Sequence, residues 1–440
     1  MLRLHDTALG KVREVELRRP GAVSMYVCGP TVDFEPHLGH GRFALVYDVL
    51  RRYLEWLGLE VQYVCNITDI DDKIIARAYA QDRRPADVVA EYEKAWYDAM
   101  DRLGVRRPSA DPHATDYIEL MIELIETLEG KGLAYRTSDG VYLDTAHVEG
   151  YGLLARQPLD SLRAGARVEV DDEKRSPFDF ALWKLAKAGE PSWPSRWGEG
   201  RPGWHTECVA MSLDLLGDDF DIHGGGNDLI FPHHENERAQ AVAAGHTFAR
   251  HWVHNGWVVD DHGEKMSKSL GNTVALSDLR DGRAYRLLVL RAHYRSPIKV
   301  GPATLADAEA ALERLDSFGR RFAPTVAPAP AALDSFREFM DDDLNTPRAV
   351  ALLFDLVGEA NQSGSQPAAS AALAIADVLG LAINRGVDEA PSEVMALVEE
   401  RTRLRAAGDF AGADRRREQI RLLGWVVEDG PEGSTVHRPI

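Results

Sequence analysis

The pattern of apolar and polar positions predicts strands alternating with helices along the first part of the chain. Met25–Cys28 is a short apolar run that ends at Gly29-Pro30, as a buried strand does. From His37, apolar residues recur with the period of an amphipathic helix until Gly58 ends the run. Val61–Val64 is a second apolar run. Strand, helix and strand at this spacing indicate a parallel α/β unit.

Residues 111–196 interrupt that pattern and are predicted to form an insertion. They begin with an amphipathic helix that is apolar from Ile118 to Leu128 and closed by Gly130, and they continue through turn-rich segments. The α/β pattern resumes near Gly203, with a strand-like run at 220–223. Two halves on either side of an insertion are typical of a doubly wound parallel sheet. The ligand crevice of such a sheet lies at the carboxyl ends of its strands.

The last third of the chain is predicted to be mainly helical. Residues 323–330 are rich in proline and alanine and predict a linker, and residues 388–391 predict a further boundary. The final segment has the pattern of two helices, a strand at 425–427, a turn at 428–431 and a second strand at 434–438. We therefore expect a small module of helices and one hairpin.

Length and charge limit the class of protein. A chain of 440 residues should form about two to four domains. Its net charge is −19, from 51 basic and 70 acidic residues. This balance disfavours a general nucleic-acid binder, because phosphate contacts need local cations. A run of arginines nevertheless lies between Arg401 and Arg421. It is either a solvated helix face or a local surface for nucleic acid.

The cysteines and the apolar runs indicate a cytoplasmic protein. Cys28, Cys65 and Cys208 lack the spacing of a disulfide framework, which argues for reduced thiols and thiolate ligands. Cys65 lies in an apolar strand and is predicted to be a core residue. The opening residues show no secretory-signal pattern, and no apolar stretch approaches the roughly 20 residues that cross a bilayer. We expect no membrane contact.

His37-Leu38-Gly39-His40 stands at the predicted start of a helix. Both imidazoles would lie on one face beside unpaired backbone N–H groups, and a helix N-terminus attracts anions. Such donors suit a phosphoryl oxygen that gains charge in a transition state. Gly39 would let a flat base approach the backbone. The alternative is a capped helix with two surface histidines.

Lys265-Met266-Ser267-Lys268-Ser269 has no helical or strand period and is predicted to be a mobile loop. Its cations, Lys265 and Lys268, could close over the phosphates of a nucleoside triphosphate. A solvated lysine pair is the alternative. The order of the two strings, histidines first and lysines later across an α/β sheet, favours a nucleotide site.

Cys28, Cys208, His233 and Glu237 have the chemistry of zinc ligands. His233 and Glu237 are one helical turn apart on one face. Cys28 ends the first strand and Cys208 lies in the resumed half, so the set could converge at the crevice. His234, three residues from Glu237, is a competing ligand. Inert buried thiols and a polar helix start are the alternatives.

These strings, in this order, closely resemble the cysteinyl-tRNA synthetases, a family of class I aminoacyl-tRNA synthetases. The resemblance covers nearly the whole chain and rests on segments 25–32, 37–40, 66–73, 203–208, 223–226, 231–237, 265–269 and 428–431. It implies an α/β fold: a Rossmann-type catalytic domain with a doubly wound parallel sheet and a connective insertion. Mainly helical domains and a small α+β C-terminal module would follow.

Pattern and resemblance together divide the chain into six segments. They place the first half of the catalytic domain at 1–110, the connective insertion at 111–196, the second half at 197–262, the lysine loop with a stem-contact region at 263–322, a helical bundle at 323–388 and an anticodon-binding domain at 389–440.

The resemblance also implies roles for particular residues. The zinc ligands would be Cys28, Cys208, His233 and Glu237, which favours His233 over His234. The catalytic residues would be His37, His40, Lys265 and Lys268, and the ATP-binding residues would be His37, Gly39, His40 and Lys268. The amino acid would be bound by Thr31, Thr68, Trp204, His223 and Asp228, and the anticodon by Arg405, Phe410 and Asp414.

The activity that the resemblance implies is ATP-dependent ligation of L-cysteine to tRNA(Cys) through a cysteinyl-adenylate. ATP would bind with Mg²⁺, one zinc ion per chain would recognise the substrate thiolate, and the protein would be a monomer. One rival is the cysteine ligase of mycothiol synthesis, which transfers activated cysteine to an amino sugar. Another is a non-catalytic tRNA-binding paralogue. The arginine-rich terminus disfavours the first rival, and the complete phosphate and zinc strings disfavour the second.

Some positions depart from the family's usual pattern. Leu38 stands in place of isoleucine, which is a conservative change. Asp33-Phe34 stands where Tyr-Asp is usual, so an acid and an aromatic residue have changed places just before the histidine string. Phe410 replaces a tryptophan. It keeps a face for stacking on a base but loses the indole donor.

Overall fold

The computed structural model describes residues 1–156, 173–266, 271–322, 326–384, 390–430 and 433–437. The chain divides into two compact units. The first comprises Met1–Asp278, Ala292–Val300 and Phe339–Thr346; the second comprises Leu279–Arg291, Gly301–Glu338 and Pro347–Ile440. None of the helices in the described ranges combines the length and apolarity that a membrane span requires.

The strands and helices of the described residues are labelled in chain order. The strands are β1 (Arg3–Asp6), β2 (Lys11–Glu14), β3 (Ala22–Val27), β4 (Glu60–Cys65), β5 (Ala134–Arg136), β6 (Gly140–Leu143), β7 (Phe180–Leu185), β8 (Gly200–Pro202), β9 (Phe220–Gly226), β10 (Ala249–Asn255), β11 (Val258–Val259), β12 (Ile298–Lys299), β13 (Val426–Gly430) and β14 (Gly433–His437). The α-helices are α1 (Leu38–Trp56), α2 (Asp72–Ala80), α3 (Pro85–Arg102), α4 (Ile118–Gly130), α5 (Trp204–Leu216), α6 (Glu235–Ala244), α7 (Gly282–Leu290), α8 (Pro302–Arg321), α9 (Pro330–Asp341), α10 (Thr346–Ser363), α11 (Gln366–Val378), α12 (Ser392–Ala406) and α13 (Phe410–Leu422).

A parallel four-stranded sheet with the order β10-β9-β3-β4 forms the centre of the first unit. Strands β3, β9 and β10 are almost wholly buried, as expected for a parallel sheet covered on both faces, and the edge strand β4 is buried over its last three residues. The strand order reverses between β3 and β9, where Cys28 N–H donates to the Gly224 carbonyl (3.1 Å). This reversal places a crevice at the carboxyl ends of β3 and β9. The predicted doubly wound parallel sheet is confirmed.

The insertion folds as an antiparallel sheet with the order β5-β6-β7-β8, packed with α4 around a separate apolar core. Trp183 and Leu182 on β7 are fully buried in that core. Strand β8 belongs to this sheet although it lies beyond residue 196, where the sequence pattern suggested that the insertion ends. Gly203 follows β8 directly and donates its N–H to the Leu182 carbonyl (2.8 Å), so the return to the central domain is held against the insertion.

A buried hydroxyl ties α1 to the central strands. Tyr47 Oη accepts a hydrogen bond from Gly225 N–H (2.6 Å) and donates to the Val253 carbonyl (2.7 Å). A Cβ at Gly224 would lie 2.4 Å from the Tyr47 ring, so only glycine permits this close approach. The helix that begins with the histidine string is thereby fixed to β9 and β10.

Replacing Tyr47 by phenylalanine is expected to destabilise the fold. The change leaves a buried backbone N–H and a buried carbonyl without their partner, which costs about 1–3 kcal/mol of unfolding free energy. Urea denaturation followed by circular dichroism measures the effect. Tyr79→Phe is the matched control, because Tyr79 is 62% exposed. Equal stability of the two variants would contradict the role assigned to the Tyr47 hydroxyl.

The second unit is mainly helical, as expected, and ends in a small module. Helices α12 and α13 and the antiparallel hairpin β13-β14 enclose a core that includes Val398, Ile420 and Trp425. The predicted turn at 428–431 begins too early: Glu428 and Asp429 belong to strand β13. Their carboxylates are held by arginines, Arg320 on Glu428 (3.0 Å) and Arg401 on Asp429 (2.7 Å), which favours the extended pairing. Of the predicted linker, residues 323–325 lie outside the described residues, and α9 begins at Pro330.

Candidate active site and metal centre

A cavity of about 430 Å³ opens at the carboxyl ends of the central strands. It brings together residues from both strings and from the predicted zinc set. Its lining includes Cys28, Thr31, Asp33, His37, Gly39, His40, Lys73, Trp204, Asp228, Trp257 and Lys265. The sheet therefore collects, at one crevice, side chains that are more than 230 positions apart in sequence.

The four predicted zinc ligands converge at the base of this crevice. Cys28 directly follows β3, and Cys208 lies on the first turns of α5. His233 comes from a π-helical turn over Ile230–His234, and Glu237 from the first turn of α6. All four side chains are buried, and one ligand atom from each lies within 4.8 Å of the others.

The spacing of these atoms fits a tetrahedral metal ion. Cys28 Sγ is 3.6 Å from Cys208 Sγ and 3.3 Å from Glu237 Oε1. His233 Nε2 is 3.6 Å from Cys208 Sγ and 2.9 Å from Glu237 Oε1. Zinc bond lengths give tetrahedral edges of about 3.8 Å for S···S, about 3.5 Å for S···N or S···O and about 3.3 Å for N···O. The observed distances therefore need only small shifts to hold Zn²⁺.

The electrostatics of the cluster favour negative charge on Cys208 and Glu237 and protonation of Cys28 and His233. Burial raises the pKa of Cys28, and the hydrogen bond with Cys208 raises it further. For Cys208, burial is outweighed by the hydrogen bond from Cys28 and by His233, which lower its pKa to about 6. Burial lowers the pKa of His233, but the Glu237 charge outweighs it and raises the pKa to about 10. A thiolate, a carboxylate and an imidazolium thus meet in one buried site.

Further histidines contact the candidate ligands. His205 Nδ1 lies 2.8 Å from His233 Nδ1, on the side of the ring away from the cluster, and burial holds the pKa of His205 well below its usual value. His223 Nε2 lies 2.8 Å from Glu237 Oε2, the oxygen opposite the cluster. Second-layer partners of this kind fix the tautomer and orientation of metal ligands. The sequence strings contained His205 but gave no reason to single it out.

His234 contacts different side chains from those that His233 contacts. Its Nδ1 is 2.8 Å from His254 Nε2, and its Nε2 is 4.0 Å from Glu237 Oε1, against 2.9 Å for His233. His223 and His234, with Cys28 and Glu237, form a second group with metal-ligand spacing. That group would leave Cys208 outside the coordination. The closer approach of His233 than of His234 to Glu237 and the second thiol favour the set with His233.

Of the candidate amino-acid residues, Thr31, Trp204 and Asp228 line the cavity, whereas Thr68 and His223 are buried behind its lining. Trp204 stacks on His233 with ring centroids 4.1 Å apart. Thr31 and Thr68 form a parallel backbone bridge, and Thr68 Oγ1 donates to Glu207 Oε2 (3.1 Å). Glu207 is buried beside Cys208, and burial raises its pKa well above the usual range. The cavity thus leads from the metal-ligand cluster past Trp204 and Thr31 toward the histidine string.

The histidine string is a capped helix start that also lines the cavity. Gly39 N–H donates to His37 Nδ1 (3.1 Å), and His37 N–H donates to His40 Nδ1 (3.2 Å), so two of the N–H groups expected to be unpaired are not. Because Nδ1 accepts in both rings, their neutral forms carry the proton on Nε2. A Cβ at Gly39 would lie 2.9 Å from His37 Cε1, so this glycine makes room for the cap as well.

Lys265 stands at the opposite wall of the cavity. Its Nζ lies 4.9 Å from the centre of the Trp257 ring and 3.8 Å from Asp228 Oδ2. Lys268 and residues 267–270 as a whole lie outside the described residues. Trp257 was not predicted, although its position just after β10 at the carboxyl edge of the sheet is a signal that could have found it. Its 41% exposure presents an aromatic face to the cavity.

Asp33 and Phe34, the exchanged pair before the histidine string, have different surroundings. Asp33 is 5% exposed and lines the cavity. Phe34 stacks with Tyr92 at 6.3 Å, and the Arg77 guanidinium lies 4.8 Å from the Phe34 ring centre. The exchange therefore places the acid at the cavity and the aromatic residue against α2 and α3.

The candidate anticodon residues lie in the second unit, on α12 and α13. Phe410 is 65% exposed at the start of α13, and Asp414 is exposed one turn later. Arg405 forms an ion pair with Asp429, which also pairs with Arg401. Arg401 and the hydrogen bond from Ser434 hold the Asp429 pKa well below its ordinary value. The surface thus carries one exposed aromatic ring beside a tightly paired set of charges.

Comparison with known proteins assigns the class. Residues 14–310 match the family described as tRNA synthetases class I (C) catalytic domain, and residues 335–384 match the DALR domain. The fold is similar to a methionyl-tRNA synthetase of Mycobacterium tuberculosis in complex with methionyl-adenylate, with a TM-score of 0.59 and 15% identity, over 81% of this chain and 89% of that chain. It is also similar to a LeuRS of Agrobacterium radiobacter in a ternary complex, with a TM-score of 0.59 and 12% identity, over 84% of this chain and 85% of that one. The catalytic unit is that of a class I aminoacyl-tRNA synthetase.

Full-length relatives narrow the assignment. The chain is 45% identical to a cysteine–tRNA ligase of Nitrosomonas eutropha and 46% identical to one of Halorhodospira halophila, over the whole of both chains in each case. This protein belongs to the cysteine–tRNA ligase family.

Proposed function

We propose that this enzyme ligates L-cysteine to tRNA(Cys) at the expense of ATP, through a cysteinyl-adenylate. The observation that carries the proposal is that a buried set of two thiols, an imidazole and a carboxylate adjoins the cavity lined by the histidine string and Lys265. The family membership supports the same substrates. One site thus offers a place for a sulfur and a place for a triphosphate.

In the first step the cysteine carboxylate attacks the α-phosphate of Mg²⁺-bound ATP, and pyrophosphate leaves. This step needs positioning and charge stabilisation more than proton transfer. His37 and His40 supply Nε2 donors, and Lys265, with Lys268, supplies positive charge for the phosphates. In the second step a terminal ribose hydroxyl of the tRNA takes the cysteinyl group, and AMP leaves.

Cys28, Cys208, His233 and Glu237 would hold one zinc ion. When bound, zinc favours ligation of a thiolate over a hydroxyl, because a thiol with a pKa near 8.5 ionises far more readily. Trp204 and Thr31, which line the cavity, would enclose the side chain and the amino group, and Asp228 would contact the bound substrates. Thr68 would act from behind the lining through Glu207. His223 would orient Glu237. Sites that make an obligatory substrate contact reject analogues by about 10⁴-fold or more, so no separate editing step is required.

The C-terminal surface would read the anticodon. Phe410 offers a face for stacking on an unpaired base, worth about 1–3 kcal/mol. Arg405 and Asp414 offer hydrogen bonds to base edges. Because Arg405 is paired with Asp429, its contact with RNA would exchange one partner for another. Reduced thiol ligands also suit the cytoplasm, the compartment expected above.

Parallel acceptor assays test this function. The purified enzyme should form pyrophosphate-exchange product with cysteine and ATP, and it should charge tRNA(Cys). Transfer of cysteine to an amino sugar with no transfer to tRNA(Cys) would replace the proposal with the mycothiol-type ligase. Binding of tRNA(Cys) without cysteine-dependent exchange would replace it with the non-catalytic paralogue.

Zinc binding is expected to release about two protons per chain near pH 7. Cys28 has a raised pKa and His233 a pKa of about 10, so both carry protons that ligation must displace, whereas Cys208, with a pKa of about 6, is already a thiolate. Apparent zinc affinity should therefore fall as the pH falls, by up to about 100-fold per pH unit. Isothermal titration calorimetry in buffers of different ionisation enthalpy counts the protons. An absence of proton release would contradict these protonation states.

A further inference from the structure

Lys73 is a further cationic side chain that lines the cavity. It is the second residue of α2 and is exposed toward the cavity, which its side chain lines. Its Nζ lies 5.6 Å from the centre of the Trp204 ring. Across the described residues, no carboxylate lies within ion-pair distance of the Lys73 ammonium.

The two acidic residues beside Lys73 are engaged elsewhere. Asp71 caps α2 by accepting the Lys73 backbone N–H (2.8 Å). Asp72 binds Lys184 (2.6 Å) and Arg201, both in the sheet of the insertion. The start of α2 is therefore anchored. Burial raises the pKa of Asp71 and the charge of the Lys73 ammonium lowers it, but that ammonium forms no ion-pair contact with a described carboxylate and remains at the cavity.

Lys73 is also placed at the amino-acid end of the cavity. Trp204, its neighbour, stacks directly on the candidate zinc ligand His233. The other described lysine of the cavity, Lys265, lies against Trp257 and Asp228. Lys73 is thus the described lysine next to the place where a cysteine sulfur would be held, and the carboxylate of that cysteine is only a few bonds from its sulfur.

We propose that Lys73 binds the α-carboxylate of the amino-acid substrate and positions it for attack on the α-phosphate. The inference rests on the proposed function. In that step a carboxylate oxygen–phosphorus bond forms, the bond to the bridging oxygen breaks, and its electron pair leaves with pyrophosphate. Lys73 neither gains nor loses a proton. Its charge offsets the repulsion between two anions that must come into contact.

The test compares L-cysteine with cysteamine, which has the thiol and the amine but no carboxylate. Lys73→Met should raise the KM for cysteine in pyrophosphate exchange by about 10- to 100-fold, the usual cost of losing one charge-assisted hydrogen bond. The KM for ATP should change by less than about threefold. The inhibition constant of cysteamine should stay within about twofold of the wild-type value. Lys73→Arg should recover part of the affinity for cysteine.

Lys94→Met is the matched control, because Lys94 is an exposed lysine of α3 paired with Asp98. It should leave both constants unchanged. If exchange by Lys73→Met is too slow to measure, tryptophan-fluorescence titration with cysteine and cysteamine supplies the same comparison. Unchanged cysteine affinity, or equal weakening of cysteamine, overturns the inference while wild-type exchange stays intact. A wild-type enzyme without cysteine-dependent exchange overturns the proposed function as well.

Discussion

Replacing Cys208 by serine is expected to remove most of the bound zinc and to lower kcat/KM for cysteine by about 10³-fold or more. Cys208 contributes one of four buried donors and has the lowered thiol pKa of the cluster, about 6. A serine hydroxyl stays protonated in that site and is a poor ligand for zinc. The preference for cysteine over serine in pyrophosphate exchange should collapse together with the metal content. Mass spectrometry for zinc and exchange assays with both amino acids measure the two effects.

Cys65→Ala is the matched control for that experiment. Cys65 is also buried, but it stands outside both groups of candidate metal ligands, and burial raises its pKa to about 12. The variant should keep its zinc and its discrimination. Full zinc content and unchanged selectivity in Cys208→Ser would contradict the assignment of Cys208 as a ligand.

Replacing His40 by asparagine should lower kcat for adenylate formation by about 10²- to 10³-fold. The asparagine Oδ1 lies close to where the imidazole Nδ1 lies, so the hydrogen bond from His37 N–H is retained. The Nε2 donor is lost, and one preorganised donor to a developing charge contributes about 3–4 kcal/mol. The KM for ATP should change only a few-fold, because the loss falls on the transition state. Single-turnover measurement of adenylate formation checks the expectation.

A second variant separates the contribution of His40 to helix capping from its contribution to adenylate formation. His40→Ala loses the cap as well and should be less stable than His40→Asn by about 1 kcal/mol. Thermal unfolding measures this difference. If His40→Asn keeps a wild-type kcat, the histidine string is only a helix cap, which was the alternative that the sequence left open.

The parts of the fold set by local pattern were predictable. The run from Met25 to Val64 gives strand, helix and strand because its apolar period changes from that of a strand to that of a helix and back. His37 was recognised as the helix start. The boundary of the insertion was harder to predict, because β8 is a short strand whose place depends on pairing with β7, far from it in sequence.

The sequence predicts which residues belong to the candidate site better than it predicts how they are arranged. The residue types and the resemblance named the four candidate ligands that the structure brings together, but the convergence of Cys28 with Cys208 depends on α5 packing beside β3. A capped helix start was one of the two interpretations of the histidine string, but the sequence did not indicate that the two histidine side chains themselves form the cap, because a histidine is an uncommon cap. Trp257 and His205 act through tertiary neighbours, which a single sequence does not reveal.

The most direct test of the account is the metal dependence of amino-acid activation. Purified enzyme should contain about one zinc ion per chain. Removal of that zinc by a chelator should abolish cysteine-dependent pyrophosphate exchange, and stoichiometric zinc should restore it. Metal-free protein that activates cysteine at the full rate, with its preference over serine intact, would contradict the account.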